Sequence, residues 1–477
     1  MIILVNPKGG PWQSDESLGL DYIASALDKQ GEDVIVFNLH NRDIEELRYF
    51  LINETITYVG ITIMHATTVN ALYVASIVKS IQPNVPVVVG GVTATTSWKE
   101  LLENPNIDIV VIGEGEITAN EIISVCRGEI DLNDVSGIAF RCNGIPIQTS
   151  KKLPIEDLDS LAWPRRAHGK KSYSILTSRG CPGYCIYCSS PTLMGRKYRA
   201  RSVESVLAEL AQLITYTSYR PLNIIVADDN FAHDLERAIL ICNGIAKQKW
   251  DITLTVGNGI RVDKVNKELL IALKKAGCRF LAFGIESGSQ YILDKMGKGI
   301  SLAQIRNAVS LAKDVGVPIL ANFMIGNIEE TEETVLESIK FCSELDTAYV
   351  TWSLAVDYPG TGLYNWVTSH GKRLSNRKDA AHSDSKHVAF ITDSLSSRKR
   401  RQLRSRALRM YYRQRLFSII KLNQPVWNLI RLLGTVNIHS SNRILKKIVV
   451  ACYSFLNQIH TKNEVKLNQS NLNDINK

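Results

Sequence analysis

Three cysteines, Cys181, Cys185 and Cys188, fall within eight residues, separated by Pro182-Gly183-Tyr184 and by Ile186-Tyr187. Three thiolates on one tight loop can hold three irons of a cubane iron–sulfur cluster and leave the fourth iron without a protein ligand. A four-thiolate site would be closed, whereas catalysis at a metal needs an open coordination position. Zinc is the plainer alternative, but zinc loops usually draw paired Cys-x-x-Cys elements from two places. The other six cysteines (Cys126, Cys142, Cys242, Cys278, Cys342 and Cys452) stand singly. Chance clustering is a third reading, set against a 3-and-2 spacing directly after a strand-like segment. The odd number of cysteines in a long chain points to metal binding ahead of disulfides.

The segments that would position this loop alternate regularly. Strand patterns at 174–180, 222–230, 252–260, 278–288, 317–327 and 348–358 alternate with helical patterns at 203–216, 234–247, 267–276, 303–315 and 334–345. This alternation predicts a partial (βα)6 barrel of the TIM type over 166–371, with its chemistry at the carboxyl ends of the strands. Polar residues recur at those ends: 178–180, 228–230, Asn258 with Arg261, 286–289, 322–327 and 357–361. Upstream, Val- and Ile-rich runs at 1–6, 33–39, 57–64, 85–91 and 107–116, each followed by a helical pattern, predict a Rossmann-like, doubly wound parallel sheet over 1–150. Such a sheet binds ligands beyond the carboxyl ends of its strands. A linker with Pro154 and Pro164 joins the two parts. The chain as a whole is α/β, closed by a helical extension over 372–477.

With 477 residues, 45% apolar and 22% charged, the chain has the composition of a globular protein of two or three domains. No run is apolar enough to lead one to expect a membrane-spanning helix, and the opening residues lack the pattern of a secretory signal, so secretion is not expected. The net charge of +9 is unevenly spread: residues 391–477 hold 17 Lys+Arg against 3 Asp+Glu, and the remainder holds 39 against 44. The basic character belongs to the tail. There, an Arg-rich helical pattern at 396–420 is followed by amphipathic patterns at 427–433 and 444–459 and an Asn-rich end expected to be disordered.

The cysteine loop, with aromatic Tyr187 just before its last cysteine, resembles that of the radical S-adenosylmethionine enzymes. The resemblance covers about residues 170–365. It continues in Asp228-Asp229-Asn230-Phe231, in Arg261 and Asp263, in Gly284-Ile285-Glu286-Ser287-Gly288, in Phe323-Met324-Ile325-Gly326 and in Tyr358-Pro359-Gly360-Thr361. It implies a 4Fe–4S cluster on the three cysteines, whose open iron chelates the amino and carboxylate groups of S-adenosylmethionine. It also implies that Tyr187 belongs to that site, that Asp228 and Asp229 lie near the methionine amino group, and that Arg261 faces the carboxylate. Glu286 and Ser287 would face ribose or the carboxylate, and Gly326 would let the backbone approach adenine. Where the family often reads Gly-Leu-Pro-Gly-Glu-Thr, this chain has Gly326-Asn327-Ile328-Glu329-Glu330-Thr331.

Residues 1–150 resemble the cobalamin-binding domain that precedes the barrel in one large subfamily. The matching segments are 18–22, 59–64, 90–94 and 113–118. The resemblance implies cobalamin contacts from Leu18, Gly19, Thr62, Met64, Gly90, Gly91, Thr93, Gly113, Glu114, Gly115 and Glu116. The first strand is followed by Pro7-Lys8-Gly9-Gly10 where other cobalamin proteins carry Asp-x-His-x-x-Gly, so the implied cobalamin is held without a histidine ligand.

Together these resemblances imply an enzyme, class B methyltransferase-like. Its 5′-deoxyadenosyl radical would take hydrogen from an unactivated carbon of a small-molecule, natural-product or lipid substrate, and cobalamin would deliver a methyl group. A cobalamin-dependent cyclase or oxidoreductase without methyl transfer is the alternative. A non-catalytic cobalamin sensor would not need the three cysteines. A methylthiotransferase would need more than Cys126 and Cys142 in the first 150 residues. The expected partner is an external electron donor such as flavodoxin or ferredoxin, in the cytoplasm. The tail carries no RNA-binding motif, so no specific nucleic acid is expected. It reads first as a helix packed on the barrel, and second as a peripheral membrane contact through Trp427, Leu429, Ile430, Leu432 and Leu433.

Overall fold

The apolar runs of the first 150 residues are short strands buried on both faces, as a parallel sheet covered by helices requires. A computed structural model describes residues 1–9, 16–374 and 387–422. The first unit runs β1 (Ile2–Asn6), α1 (Leu18–Asp28), β2 (Val34–Asn38), α2 (Ile44–Asn53), β3 (Tyr58–Thr62), α3 (Thr68–Ile81), β4 (Val87–Gly90), α4 (Val92–Thr96), α5 (Trp98–Leu102), β5 (Ile109–Val111), α6 (Glu116–Cys126), β6 (Ile138–Cys142) and β7 (Ile145–Gln148). The sheet order is β2-β1-β3-β4-β5-β6-β7. Strands β1 to β5 are parallel; β6 and β7 add an antiparallel hairpin that the sequence reading left out. One apolar layer lies under α2, α3 and α5, and the other under α1 and α6.

The second unit begins with β8 (Ser172–Ile175), β9 (Ser178–Arg179), α7 (Ser190–Met194), β10 (Arg199–Ala200), α8 (Val203–Thr215), β11 (Leu222–Val226), α9 (Leu235–Gln248) and β12 (Ile252–Ile260). It continues through α10 (Lys267–Lys275), β13 (Cys278–Glu286), α11 (Gln290–Lys295), α12 (Leu302–Val315), β14 (Ile319–Ile325), α13 (Glu332–Leu345), β15 (Tyr349–Leu354) and α14 (Gly362–His370). The parallel order β15-β14-β13-β12-β11-β8 has two edges, so the six-stranded barrel is open, as expected. Its βα loops end in capping side chains: Asp234, Asn266, Ser301 and Thr331 each accept from a backbone N–H in the first turn of the following helix. The run read as one strand from 174 to 180 is two pieces. The main strand stops at Ile175, and Ser178–Arg179 pairs antiparallel with β10.

After β16 (Lys372–Arg373) and β17 (Phe390–Ile391), the Arg-rich pattern forms one helix, α15 (Ser397–Leu422). It packs on α13 and β15, burying Leu403, Ala407 and Tyr411 in the barrel core. Arg404 donates to the Trp352 carbonyl and Arg415 pairs with Asp346. The patterns at 427–433 and 444–459 and the Asn-rich end lie outside the described residues. Among the described residues, no helix is long and apolar enough to cross a membrane.

Candidate active site

The three cysteines sit on a loop pinned from three sides. Cys181 N–H donates to the Gly195 carbonyl at 3.3 Å, Ile186 N–H to the Met296 carbonyl at 2.9 Å, and the Ile186 carbonyl accepts from Leu363 N–H at 2.8 Å. Gly180, at φ +86°, turns the chain into the loop, and a Cβ there would collide with the Lys197 carbonyl. The thiols are half-buried. A Cβ on Gly183 would stand 3.4 Å from Cys181 Sγ and 4.0 Å from Cys185 Sγ, and Asn230 Nδ2 lies 3.9 Å from Cys181 Sγ. Among the described residues, no three His, Cys, Asp or Glu side chains gather about one point as ligands of a single ion would. A cubane makes a different demand, because each thiolate binds its own iron.

Beside this loop the barrel mouth holds a buried polar group. Lys298 Nζ lies 3.1 Å from Tyr187 Oη and 3.1 Å from Glu286 Oε1. Burial works against the Lys298 ammonium, but Glu286 and Cys185 outweigh it and hold its pKa above the ordinary lysine value. Burial, with the charge of Glu286, pushes the Tyr187 phenol far up. Glu286 itself has φ +68°, a strained conformation for a residue with a side chain, which here sits where β13 slips register against β14. Arg261 pairs with Asp263 at 3.0 Å and reaches toward Gly183 of the cysteine loop. Burial raises the Cys188 thiol, and Cys185 and then the partly exposed Asp229 add to that rise.

Three expected contacts are placed otherwise. Asp228 is buried, and its oxygens accept from Thr177 N–H (2.6 Å), Thr177 Oγ1 (2.5 Å) and Ser178 Oγ (2.6 Å). Its carboxylate braces the approach to the cysteine loop. Ser287 is fully buried, with its hydroxyl 3.0 Å from Ser338 Oγ on α13. Gly326 has φ +101°, but the face its missing Cβ leaves open is filled by the Arg400 guanidinium from α15. The turn that lacks the usual second glycine instead bends Glu330 back onto the Gly326 and Asn327 N–H groups.

At the edge of the first sheet, a cavity of about 310 Å³ opens between the two units. It is lined by Leu18, Gly19, Thr62, Gly90, Gly91 and Gly113 through Glu116, and from the barrel side by Leu176, Arg179, Leu193, Met194 and Ala227. Met64 and Thr93 do not line it. Gly19 and Gly113 have no atom within 4 Å of where a Cβ would stand, so they leave open room for a ligand. Gly91, at φ +102°, is required by the backbone itself, since a Cβ would lie 2.9 Å from the Ile63 carbonyl. Glu114 and Glu116 reach the cavity wall, but their carboxylates are engaged: Arg179 donates to Glu114 at 2.8 Å and to Glu116 at 2.5 Å, and Arg199 donates to Glu114 at 2.9 Å. Sequence reasoning placed Arg179 only among the polar strand-end residues 178–180 and Arg400 only in the Arg-rich helix, giving neither a partner, and it missed Arg199 and Lys298. Nothing in their spacing marks them, and only burial beside the loops does.

Two family models match successive stretches of the chain: the B12 binding domain over residues 15–123 and the Radical SAM superfamily over residues 175–342. An uncharacterised methyltransferase of Pyrococcus horikoshii is 35% identical over 373 residues, 75% of this chain and 80% of that protein. The chain belongs to the cobalamin-dependent radical S-adenosylmethionine enzymes. The anaerobic magnesium-protoporphyrin IX monomethyl ester cyclase of Rubrivivax gelatinosus is 29% identical over 72% of this chain and 64% of its own length. Methyltransferases and a cyclase thus both stand among the relatives of this family member. The methyltransferase TsrM from Kitasatospora setae, solved with cobalamin and a 4Fe–4S cluster, shares the fold at a TM-score of 0.69 and 17% identity, over 87% of this chain and 88% of that one. OxsB, solved with aqua-cobalamin and S-adenosylmethionine, does so at 0.69 and 18%, over 96% and 70%. The family's cofactors are the cluster, S-adenosylmethionine and cobalamin, and the residues present fit them: three thiols on a pinned loop, two cations beside it, and an open-glycine cradle facing the barrel.

Proposed function

We propose that the enzyme methylates an unactivated carbon of a small-molecule substrate held in the barrel mouth. The observation that carries this is a cavity of about 310 Å³ lined by both units, which brings the cobalamin crevice against the ends of the first two barrel strands. When bound, the cluster and S-adenosylmethionine supply the 5′-deoxyadenosyl radical and cobalamin carries the methyl group. In this reading Cys181, Cys185 and Cys188 hold the cluster. Arg261 and Lys298 offer the positive charge that a methionine carboxylate needs, and Tyr187 and Glu286 keep Lys298 oriented. Asp229 is the carboxylate left for the amino group. Leu18, Gly19, Thr62, Gly90, Gly91 and Gly113 cradle cobalamin, and the apolar walls keep water from the reacting atoms. The division of labour follows the expected parts: 1–150 for cobalamin, 166–371 for radical formation, and α15 of the 372–477 extension as support.

A one-electron donor such as flavodoxin or ferredoxin supplies the reductant, and the cytoplasm is the compartment that suits free thiols. One face of the described part of the basic extension is packed on the barrel through Leu403, Ala407 and Tyr411.

The test is anaerobic reconstitution with iron, sulfide and cobalamin, followed by reaction with methyl-labelled S-adenosylmethionine and candidate substrates. Label in product together with 5′-deoxyadenosine supports methyl transfer. Unlabelled product formed with 5′-deoxyadenosine would transfer the assignment to cyclisation or oxidation. Replacing the three cysteines by alanine should abolish 5′-deoxyadenosine, and its persistence would sink the cluster assignment.

A further inference from the structure

The cobalamin-side loop and the strand feeding the cysteine loop meet at one buried carboxylate. Glu114 accepts from Arg179 Nη1 at 2.8 Å, from Arg199 Nη1 at 2.9 and 3.0 Å, and from Ile155 N–H at 2.8 Å. These four bonds use the acceptor capacity of a carboxylate. Arg179 and Arg199 are partners across the β9–β10 ladder, so adjacent side chains of one small sheet converge on a single residue of the other unit. The second nitrogen of Arg179 reaches Glu116, and its guanidinium lies 5.2 Å from the Tyr22 ring centre on α1. All three members of the Glu114 hub are less than a tenth exposed.

Little slack separates this hub from the thiols. Arg179 is followed by Gly180, whose crowding against the Lys197 carbonyl fixes the turn, and then by Cys181, held to Gly195. Arg199 is tied in addition to the Ile155 and Met194 carbonyls, the latter at the end of α7 on the cavity wall. Buried ion pairs are weak sources of stability, because desolvation offsets the Coulombic gain, but they can select one geometry. Geometry is what two cofactor sites on separate units require, since a misplacement of about 1 Å can cost on the order of 100-fold in rate.

We infer that Glu114 is a positioning residue that, through Arg179 and Arg199, locks the cobalamin crevice to the cluster-bearing strand and sets the spacing of the two reaction centres. It is therefore not a cobalamin contact. The inference rests on the function proposed above, and its test separates the two. Holoenzyme is prepared with the cluster reduced and cobalamin in its Co(II) form; both centres are then paramagnetic, and their dipolar coupling in electron paramagnetic resonance reports their separation. In Glu114→Gln, iron and cobalt content should match the wild type. The coupling should spread into a broad distribution, and 5′-deoxyadenosine formed per methyl transferred should rise roughly tenfold. Arg179→Lys keeps the charge but loses the fork that grips two carboxylates. It should show the same loosening and serves if the first variant does not fold. A coupling as sharp as in wild type, with an unchanged product ratio, would overturn the inference. So would loss of cobalt from Glu114→Gln at normal iron content, which would make Glu114 a cobalamin contact after all. Wild-type protein that takes up no cobalamin would instead defeat the underlying function, whatever the variants do.

Discussion

Among single residues, Glu330 most clearly has a role set by its surroundings. It is fully buried against Gly326 and Asn327, and burial pushes its carboxyl up to about 7, the backbone bonds and the charge of Arg400 only partly offsetting it. A carboxyl whose pKa is raised by folding binds its proton more tightly in the folded state. Its contribution to stability is therefore full below the ordinary value near 4.5 and is lost as pH rises from there through about 7. The span corresponds to about 3 kcal/mol at about 1.4 kcal/mol per pH unit. Glu330→Gln should flatten the fall in stability between those pH values by a comparable amount, read as urea midpoints across a pH series; an unchanged slope would show that the site is not what sets it. Asp21, pushed up to about 7 mainly by burial and then by Glu16, leaves a residual slope of the same sign. Neither effect was legible in the sequence, where Glu330 is one of two adjacent glutamates in a polar turn. The cysteines are the opposite case, because three thiols at a fixed spacing point to metal binding from the sequence alone.

At the scale of elements, the alternation of strands and helices was readable because parallel strands buried on both faces carry unbroken Val and Ile runs, and the helices between them begin at capping residues. The β6–β7 hairpin was missed. Its second strand, Ile145–Gln148, is partly exposed and carries Pro146, so it lacks the apolar run that marked the others. The split of the first barrel strand was missed for a related reason: the chain after Ile175 stays extended but leaves the sheet to pair with β10. At the edge of the first sheet, the Gly90-Gly91 turn is a place where the element dictates the residue. Gly91→Ala would combine a left-handed φ with a Cβ 2.9 Å from the Ile63 carbonyl. The expected cost is about 1–3 kcal/mol of stability in denaturant, with reduced cobalamin retention read as cobalt content. A variant as stable as wild type would mean that the turn relaxes without cost.

At the scale of the molecule, the basic tail reads from sequence first as a helix packed on the barrel, and its described part, α15, packs there. Leu403 is 2% exposed in the barrel core, and Arg400 is buried against Phe390 with its guanidinium 4.4 Å from the ring centre. Leu403→Ala should therefore lower the barrel's stability by about 2–5 kcal/mol in urea unfolding, as for a core leucine and unlike a surface helix. A change below about 0.5 kcal/mol would return α15 to the role of a solvated appendage. The sequence by itself determined the strand–helix alternation and the three-thiol loop, because ligand spacing and apolar periodicity are local properties that survive in one dimension; S-adenosylmethionine and cobalamin followed from the family resemblance of its motifs. Only the tertiary structure decided which polar residues face the cavity and which hold it together. Asp228, Ser287, Glu114 and Glu116 all lie in motif positions, yet their oxygens are engaged by Thr177, Ser338, Arg179 and Arg199. A polar side chain's role depends on which partners reach it, and the side chains that engage Asp228, Ser287, Glu114 and Glu116 come from about 50 to 85 residues away in the chain.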